Sequence, residues 1–441
     1  MTHNRAIGFG LERLPRLVRG EGSYLFDDRG RRYLDGSGGP AAFCIGHANR
    51  EVNAAIAAQL DQVACAYRYL FTSTALEQLT ELILGKSGPQ FGHVIYSGSG
   101  SEAVESALKV ALQYWHTRGL PAKQCFIARE RSYHGNTLGA LSMSGFRERR
   151  VPFEGSLLNV SFVSAANAYR PAFGVEPDRL VPVLASELEE RIQQLGRERV
   201  AGFIFEPVVG AAGGVVPAPP GYAQAVRAIC ERNDILLIAD EVMCGAGRCG
   251  TWRALEHEAV TPDIMVVAKG LAGGYIPLGA TIVSSSIGEA ILASQGSFLT
   301  GHTYSGHTAA CAGGLAVQRI IERDNLIGRV ATAGPGLKSQ LTSALAQFDE
   351  VGDVRGRGYF LGIEFVRDRA TRRPFPAEQH LSHEIGRRAF ENGLICYPCT
   401  GNVGDGTGDT LIVAPPFNAT DAELSELMDK LTKSIREVLR P

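Results

Sequence analysis

The sequence contains no apolar run that approaches the roughly 20 residues needed to cross a bilayer, so a membrane-spanning helix is not expected. It opens MTHNRAIGFGLERLPRL, which lacks the apolar core of a secretory leader, and a cytoplasmic protein is expected. Excess charge is also missing. Against 44 Lys and Arg stand 46 Asp and Glu, a formal net charge of -2, which gives no basic footprint for nucleic acid or for an acidic membrane surface. Internal repeats and low-complexity segments are absent. The nine cysteines are odd in number and spread over 441 residues, so a disulfide framework is not expected. Cys396 and Cys399 form a C-x-x-C, and Cys244 and Cys249 stand five apart, but neither pair has the second pair or finger-spaced histidines that zinc requires. They read as core or surface thiols, and no metal is assigned.

What is present is an ordinary globular composition, 45% hydrophobic and 20% charged, in a chain long enough for two domains. An early stretch, GSYLFDDRGRRYLDG, has aromatic and apolar positions flanking the turn Asp27-Asp28-Arg29-Gly30 and predicts a hairpin. From there short apolar runs alternate with helical stretches: HVIYS before SEAVESALKVALQYWHTRG, CFIARE before SYHGNTLGALS, VAGFIFEPVV and ILLIADEV around GYAQAVRAICERN, then DIMVVAK. This rhythm predicts an α/β fold with a mostly parallel sheet flanked by helices. After a long helical region, VGDVRGRGYFLGIEFV reads as two strands across a turn. The helix SHEIGRRAFENG follows, then LICYP, DTLIVAPPF and a last helix begun by the cap Thr420 with Asp421 in its first turn. The division expected is a large domain over 64–320 and a smaller α+β domain over 321–441, joined by the N-terminal segment 1–63.

Four places carry chemistry. In DIMVVAKGLAGGYIPLGA an apolar run ends on Lys269 and glycines follow at once. An unperturbed lysine, with a pKa near ~10.4, is almost wholly protonated at neutral pH and cannot attack a carbonyl. Desolvation at a buried strand end lowers that pKa, and the glycines allow backbone to approach a flat ligand. A phosphate loop of the Walker type is excluded because its glycines precede the lysine. The plain reading of such a lysine, taken alone, is one that snorkels to solvent. In ILLIADEV, Asp240 directly follows an apolar strand, where open α/β sheets bind ligands; an ion pair or cap would also suit it. In YSGSGSEAVESALKVA, the residues Gly98, Ser99, Gly100 and Ser101 bring backbone N–H groups to a helix start near Glu102, a site suited to phosphate. In SYHGNTLGALS, Tyr133 offers a ring for a flat ligand, with His134 and Gly135 shaping the turn, although a lone aromatic is more often core.

The ordered series SGSGSEA, YHG, EPVVG, ADEV, AKGLAGG and GHTYSGH resembles the class III aminotransferases, pyridoxal 5′-phosphate enzymes of fold type I. The resemblance runs from LFDDRGRRYLDG to LIVAPPF, and the 29 residues from Asp240 to Lys269 match the family spacing. It implies that Lys269 is the Schiff-base lysine and proton shuttle and that Asp240 is the partner of the pyridine nitrogen. It further implies that Val242 and Tyr133 pack the two ring faces, that Ser99, Gly100 and Ser101 hold the phosphate, and that Glu206 and His134 lie near the cofactor. Thr303 would reach the phosphate bound in a neighbouring subunit, which implies a homodimer with composite sites and leaves a tetramer open. The implied substrates are a small-molecule amine and a 2-oxo acid such as pyruvate.

Relatives that act on ornithine or 4-aminobutyrate carry an arginine three residues before the first proline of APPF; here that place holds Ile412. Amine:pyruvate (omega) aminotransferases also lack it, and the chain resembles these more. Their mobile arginine after the LI strand is replaced here by Tyr397, and the extra residues Gly401 to Gly408 read as a flexible loop at the site mouth. Arg68 and the cluster Arg147, Arg149 and Arg150 are candidate carboxylate ligands, against a plainer reading as solvated surface charge. Ala41, Ala42 and Phe43 offer room for a bulky amine. Lyases, decarboxylases and racemases of the same family keep the lysine and the aspartate, so these motifs do not separate the reactions. A non-catalytic relative would have lost Lys269, Asp240 or the phosphate turn, and all three are present.

Overall fold

The alternating apolar runs assemble into a seven-stranded sheet in a computed structural model that describes residues 14–404 and 406–440. The reading of the first residues as leaderless lies, for 1–13, outside the described residues. Across the sheet the strands are ordered Phe91–Ser97, Gly279–Ser284, Ile264–Val267, Leu236–Asp240, Val200–Phe205, Cys125–Arg129 and Ser161–Val163. Only Gly279–Ser284 runs against the rest, paired antiparallel to Ile264–Val267 and to Phe91–Ser97. The other neighbours are parallel. The mostly parallel sheet read from the βα rhythm is therefore the one formed.

The strands are continuous apolar runs because both faces are covered. Leu236, Ile238, Ile264 and Val266 share one core cluster. Their neighbours in sequence turn the other way, Leu237 and Ala239 into a second cluster and Met265 and Val267 into a third. On the first face lies the helix Gly100–Thr117, whose buried stripe is mostly small: Ala103, Val104, Ala107, Val110 and Ala111. Small residues bring its axis close to the sheet, and Trp115 anchors the far end by donating Nε1–H to the Ala201 carbonyl at 2.8 Å. Each large side chain buried in this way contributes about 1.5–3 kcal/mol.

Toward the C-terminus a four-stranded antiparallel sheet forms from Val351–Arg357, Phe360–Phe365, Thr407–Val413 and Tyr397–Gly404. The last helix, Asp421–Leu439, starts on the expected cap: Thr420 accepts from Glu423 N, and the Glu423 side chain accepts from Thr420 N. The N-terminal hairpin turns where the sequence placed it, with Asp27 Oδ1 accepting from the backbone of Arg29 and Arg31. Its strand Arg32–Asp35 then pairs in parallel with Leu394–Ile395, tying the two ends of the chain together.

The Gly-rich stretch from Gly401 to Gly408 departs from the loop expected of it. It forms the facing ends of a hairpin, in which Cys399 pairs with Thr410 and Gly404 with Thr407. Glycines at positive φ, 81° at Gly401 and 97° at Gly408, are accommodated by a register shift between Thr400 and Gly404, so they bend the strands rather than end them. Among the described residues no helix is long and apolar enough to cross a membrane.

Candidate active site

Because nearly all the strands run the same way, the turns after Ser97, Arg129, Phe205, Asp240 and Val267 leave the sheet at one edge. That edge is where open α/β sheets bind ligands. A cavity of about 410 Å³ opens there. Of the residues singled out in the sequence, Ser99, Gly100, Ser101, Tyr133, His134, Glu206, Asp240, Val242, Lys269 and Tyr397 all line it.

Lys269 and Asp240 come from adjacent parallel strands, in a register that pairs Asp240 with Val266. Lys269 has a φ of 44°, a left-handed conformation unusual for a residue with a side chain. Strain of this kind costs on the order of 1–3 kcal/mol and persists where surrounding structure enforces it. Burial pushes the Lys269 ammonium below its ordinary value, while the negative charges of Asp240 and Glu206 oppose the shift. The following glycines allow close approach: Gly274 has a φ of 79°, and a Cβ there would collide with the Phe43 ring.

Asp240 is 3% exposed. Its Oδ1 accepts from Val242 N at 3.0 Å, and its Oδ2 lies 2.7 Å from His134 Nδ1, so the imidazole donates to the carboxylate. The motif reads His134 as shaping a turn and the resemblance puts it near the cofactor; the fold carries its ring onto Asp240, and Gly135 makes the tight bend. A Cβ on Gly135 would meet Ser101 Oγ at 2.6 Å. Glu206 is buried too, accepting from Tyr133 N and Gly210 N, both at 2.9 Å. Burial raises its pKa; His134 opposes the rise and the charge of Asp240 adds to it.

At the helix start, Ser99 caps the turn by accepting from Glu102 N at 3.2 Å, and Glu102 Oε2 accepts from Gly98 N at 2.7 Å. The N–H groups of Gly100 and Ser101 lie in the first turn, where no intrahelical acceptor exists. A side chain at Gly100 would press on Val242, 3.0 Å from its Cγ1.

Ala41, Ala42, Phe43, Arg68 and Thr303 stand apart from the cavity. Phe43 packs behind Gly274, 4.7 Å from the His47 ring. Arg68 is exposed and donates to the Tyr69 hydroxyl at 2.8 Å. Thr303 is exposed in the segment before the helix Thr308–Arg323. The cavity also includes residues that were not singled out: Phe146, Ala211, Met243, Ile276, Pro277 and Leu278. Met243 and Ala211 follow recognised motifs within a few residues, a signal that was available. Phe146 carries none, being an apolar residue among many. From the arginine cluster the fold selects Arg149, which lines the cavity; Arg147 and Arg150 do not.

With the geometry in hand, relatives can be placed beside it. The family profile of class III aminotransferases matches residues 12–435, and the chain belongs to that family. An uncharacterised aminotransferase of Bacillus subtilis, YodT, is 42% identical over 96% of this chain and 95% of its own. An (S)-enantioselective omega-transaminase from Thermomicrobium roseum superposes with a TM-score of 0.92 at 35% identity, covering 99% of this chain and 96% of that one. An amine transaminase from an uncultivated Pseudomonas species, solved with pyridoxal phosphate bound, gives 0.91 at 34% identity, covering 99% and 98%. The chain is a class III aminotransferase with the fold type I architecture, and its cofactor is pyridoxal 5′-phosphate.

The residues present fit that group. A capped helix start offers unpaired N–H groups to a phosphate, Gly100 leaves open the space a Cβ would fill, and an ionisable Asp240 and a desolvated Lys269 face the same cavity. The buried His134 Nε2 has no protein partner among the described residues.

The buried acids predict a pH dependence of stability. Burial pushes Glu241, whose carboxylate accepts from Ala254 N and Leu255 N, up to about 7, and raises Glu206 in the same direction. In the unfolded chain such groups ionise near ~4.3, so between these values the native state holds more protons and loses stability as pH rises. His383, lowered by burial, acts in the opposite direction as a single group. The melting midpoint of the cofactor-free protein is therefore expected to fall by several degrees from about pH 5 to about pH 8. Glu241→Gln should flatten that slope, and calorimetry across the range checks it; a rising midpoint contradicts the assignment.

Proposed function

We propose that this enzyme moves an amino group from a primary amine or omega-amino acid to a 2-oxo acid such as pyruvate, in two half-reactions at one site. The observation that carries this reading is the pairing of Lys269 and Asp240 at adjacent strand ends, in a cavity whose remaining wall is largely apolar. The donor class is supported by Ile412, which lies wholly buried in an apolar cluster with Val215, Phe360 and Cys244. No charged clamp for an α-carboxylate stands at that place. The likeness to proteins described as amine and omega-transaminases supports the same class.

In this reading Lys269 would hold the cofactor at its aldehyde carbon, Asp240 at its ring nitrogen, and Ser99, Gly100 and Ser101 at its phosphate. Tyr133 and Val242 would flank the ring, with Glu206 and His134 beside it. When bound, the group supplies an electron sink for the charge left on a deprotonated carbon. Lys269 moves the proton from the amine-bearing carbon, which requires the neutral amine that burial favours. Asp240 keeps a positive charge at the ring nitrogen, and the apolar walls exclude water.

The active unit in this reading is a homodimer, in which Thr303 serves the phosphate site of the neighbouring copy. The exposed Tyr67, Leu70, Phe71, Leu299 and Tyr304, close in sequence to Arg68 and Thr303, support a covered face there. A division near residues 64 and 320 is supported by the separate sheets. The nine free thiols suit a cytoplasmic setting.

The test is the absorbance of the cofactor-loaded protein as amines are added one at a time without an acceptor. Alanine, ornithine, 4-aminobutyrate, a diamine, taurine and an arylalkyl amine form the panel. One of them should bleach the visible band, and pyruvate should restore it. Release of ammonia or carbon dioxide in place of that cycle would transfer the enzyme to the lyases or decarboxylases.

A further inference from the structure

We propose that Arg149 is the residue that binds the carboxylate of the 2-oxo acid, and of any donor that carries one, taking over from the arginines absent at Ile412 and Tyr397. The proposal rests on the aminotransferase reading and names the missing half of substrate recognition.

Four observations converge on Arg149. Among the described residues it is the only arginine lining the cavity. Its guanidinium lies over two rings of the same wall, 5.0 Å from the centroid of Tyr133 and 5.3 Å from that of Phe146. Among the described residues it has no acidic partner, whereas Arg131 nearby is committed to Glu148 at 3.1 Å. The other two arginines of the cluster are absent from its lining: Arg150 lies over Phe162 at 4.5 Å, and Arg147, exposed as Arg149 also is, does not reach the cavity.

The fold also holds Arg149 in place. Its short helix, Arg147–Arg150, is strapped to the hairpin that carries Tyr397. Arg131 bridges Glu148 and the Gly401 carbonyl, and Gly406 N donates to Glu148 Oε1 at 3.1 Å. The glycine-rich hairpin thus supplies the backbone groups that fix this helix, and Glu148 is a positioning residue. Tyr397, standing where relatives carry an arginine, faces the Arg149 charge: burial pushes its hydroxyl up to about 12, and Arg149 opposes the rise.

Chemistry completes the argument. A carboxylate entering a mostly apolar cavity needs a cation, and Lys269 is required for proton transfer. A guanidinium grips a carboxylate with two parallel N–H donors, and stacking on rings restricts its plane beforehand. Such a charge-paired contact, once truncated, weakens binding by roughly 10²-fold or more.

The experiment uses the cofactor-loaded enzyme and Arg149→Met. The KM for pyruvate should rise about 100-fold, while that for butanal, an acceptor without a carboxylate, should move less than about threefold. Arg149→Lys, which keeps the charge and loses the fork, should fall between, near tenfold. Arg147→Met is the neighbouring control and should match the wild type. A second readout is independent of turnover: calorimetric binding of 3-phenylpropanoate, which has no reactive carbonyl or amine. The variant should bind it at least about 50-fold more weakly than the wild type. Equal loss for pyruvate and butanal, or a pyruvate KM within threefold of the wild type, overturns the proposal. Should the wild type transaminate nothing, the functional reading fails and 3-phenylpropanoate still decides on Arg149: selective loss in the variant sustains the carboxylate site, and equal or absent binding overturns it.

Discussion

Lys269→Ala is expected to give a folded protein that still binds the cofactor and has lost turnover by about 10⁴-fold, the upper end of what one placed acid–base group supplies. Lys269 stands at the exit of a buried strand, where burial destabilises its ammonium and so favours the neutral amine. Among the described residues no other amine lines the cavity. The fold should survive because the strained φ of 44° is imposed by the surrounding backbone, and alanine carries much the same conformational cost as lysine there. Lys269→Arg separates two explanations. Arginine retains the positive charge facing Asp240 and Glu206 but does not deprotonate. If the charge alone mattered, it would restore activity; if the neutral amine matters, both variants are equally inactive. Single-turnover absorbance with the best donor of the panel, beside a melting curve, measures both. Turnover within tenfold of the wild type in Lys269→Ala would falsify the assignment.

The features that produced this expectation were legible in the sequence because they obey local rules. Apolar runs of strand length ending on Asp240 and Lys269 announce both the strands and the polar groups at their exits. The Ser/Gly turn before Glu102 announces a capped helix. What was not legible depends on contacts between distant segments. The direction of Gly279–Ser284 is set by its two neighbours, since an apolar strand buried on both faces looks the same in either direction. The stretch from Gly401 to Gly408 has the composition of a loop, and only pairing with the strand Thr407–Val413 and the anchoring by Glu148 and Arg131 order it. In the sequence Arg149 carries no more weight than Arg147 or Arg150. What distinguishes it is the direction a four-residue helix takes once strapped to that hairpin. His134 is the clearest case: 106 residues separate it from Asp240, and nothing local reports a hydrogen bond that only the sheet order creates.

That hydrogen bond underlies the second large effect. Asp240→Asn is expected to lower turnover by about 10²–10³-fold, as does removal of one preorganised electrostatic partner at a reacting centre, with KM changed far less. The substitution preserves shape: an asparagine carbonyl in the place of Oδ1 still accepts from Val242 N. It removes the negative charge, and with it the reason for a cofactor nitrogen to keep its proton. Its amide nitrogen would also confront His134 Nδ1, turning a donor–acceptor pair into two donors unless the ring takes its other tautomer. Because Asp240 contributes to raising Glu206, that acid should titrate lower in the variant, and the fall of stability with pH should become shallower. A steady-state profile with pyruvate, read beside that stability profile, separates a catalytic carboxylate from a merely structural one. Loss of turnover with KM retained places the charge at the reacting centre. Turnover within fivefold of the wild type, with only the stability profile altered, would leave Asp240 as a partner of His134 and nothing more, and the meeting of two strand ends at one cavity would need another chemistry.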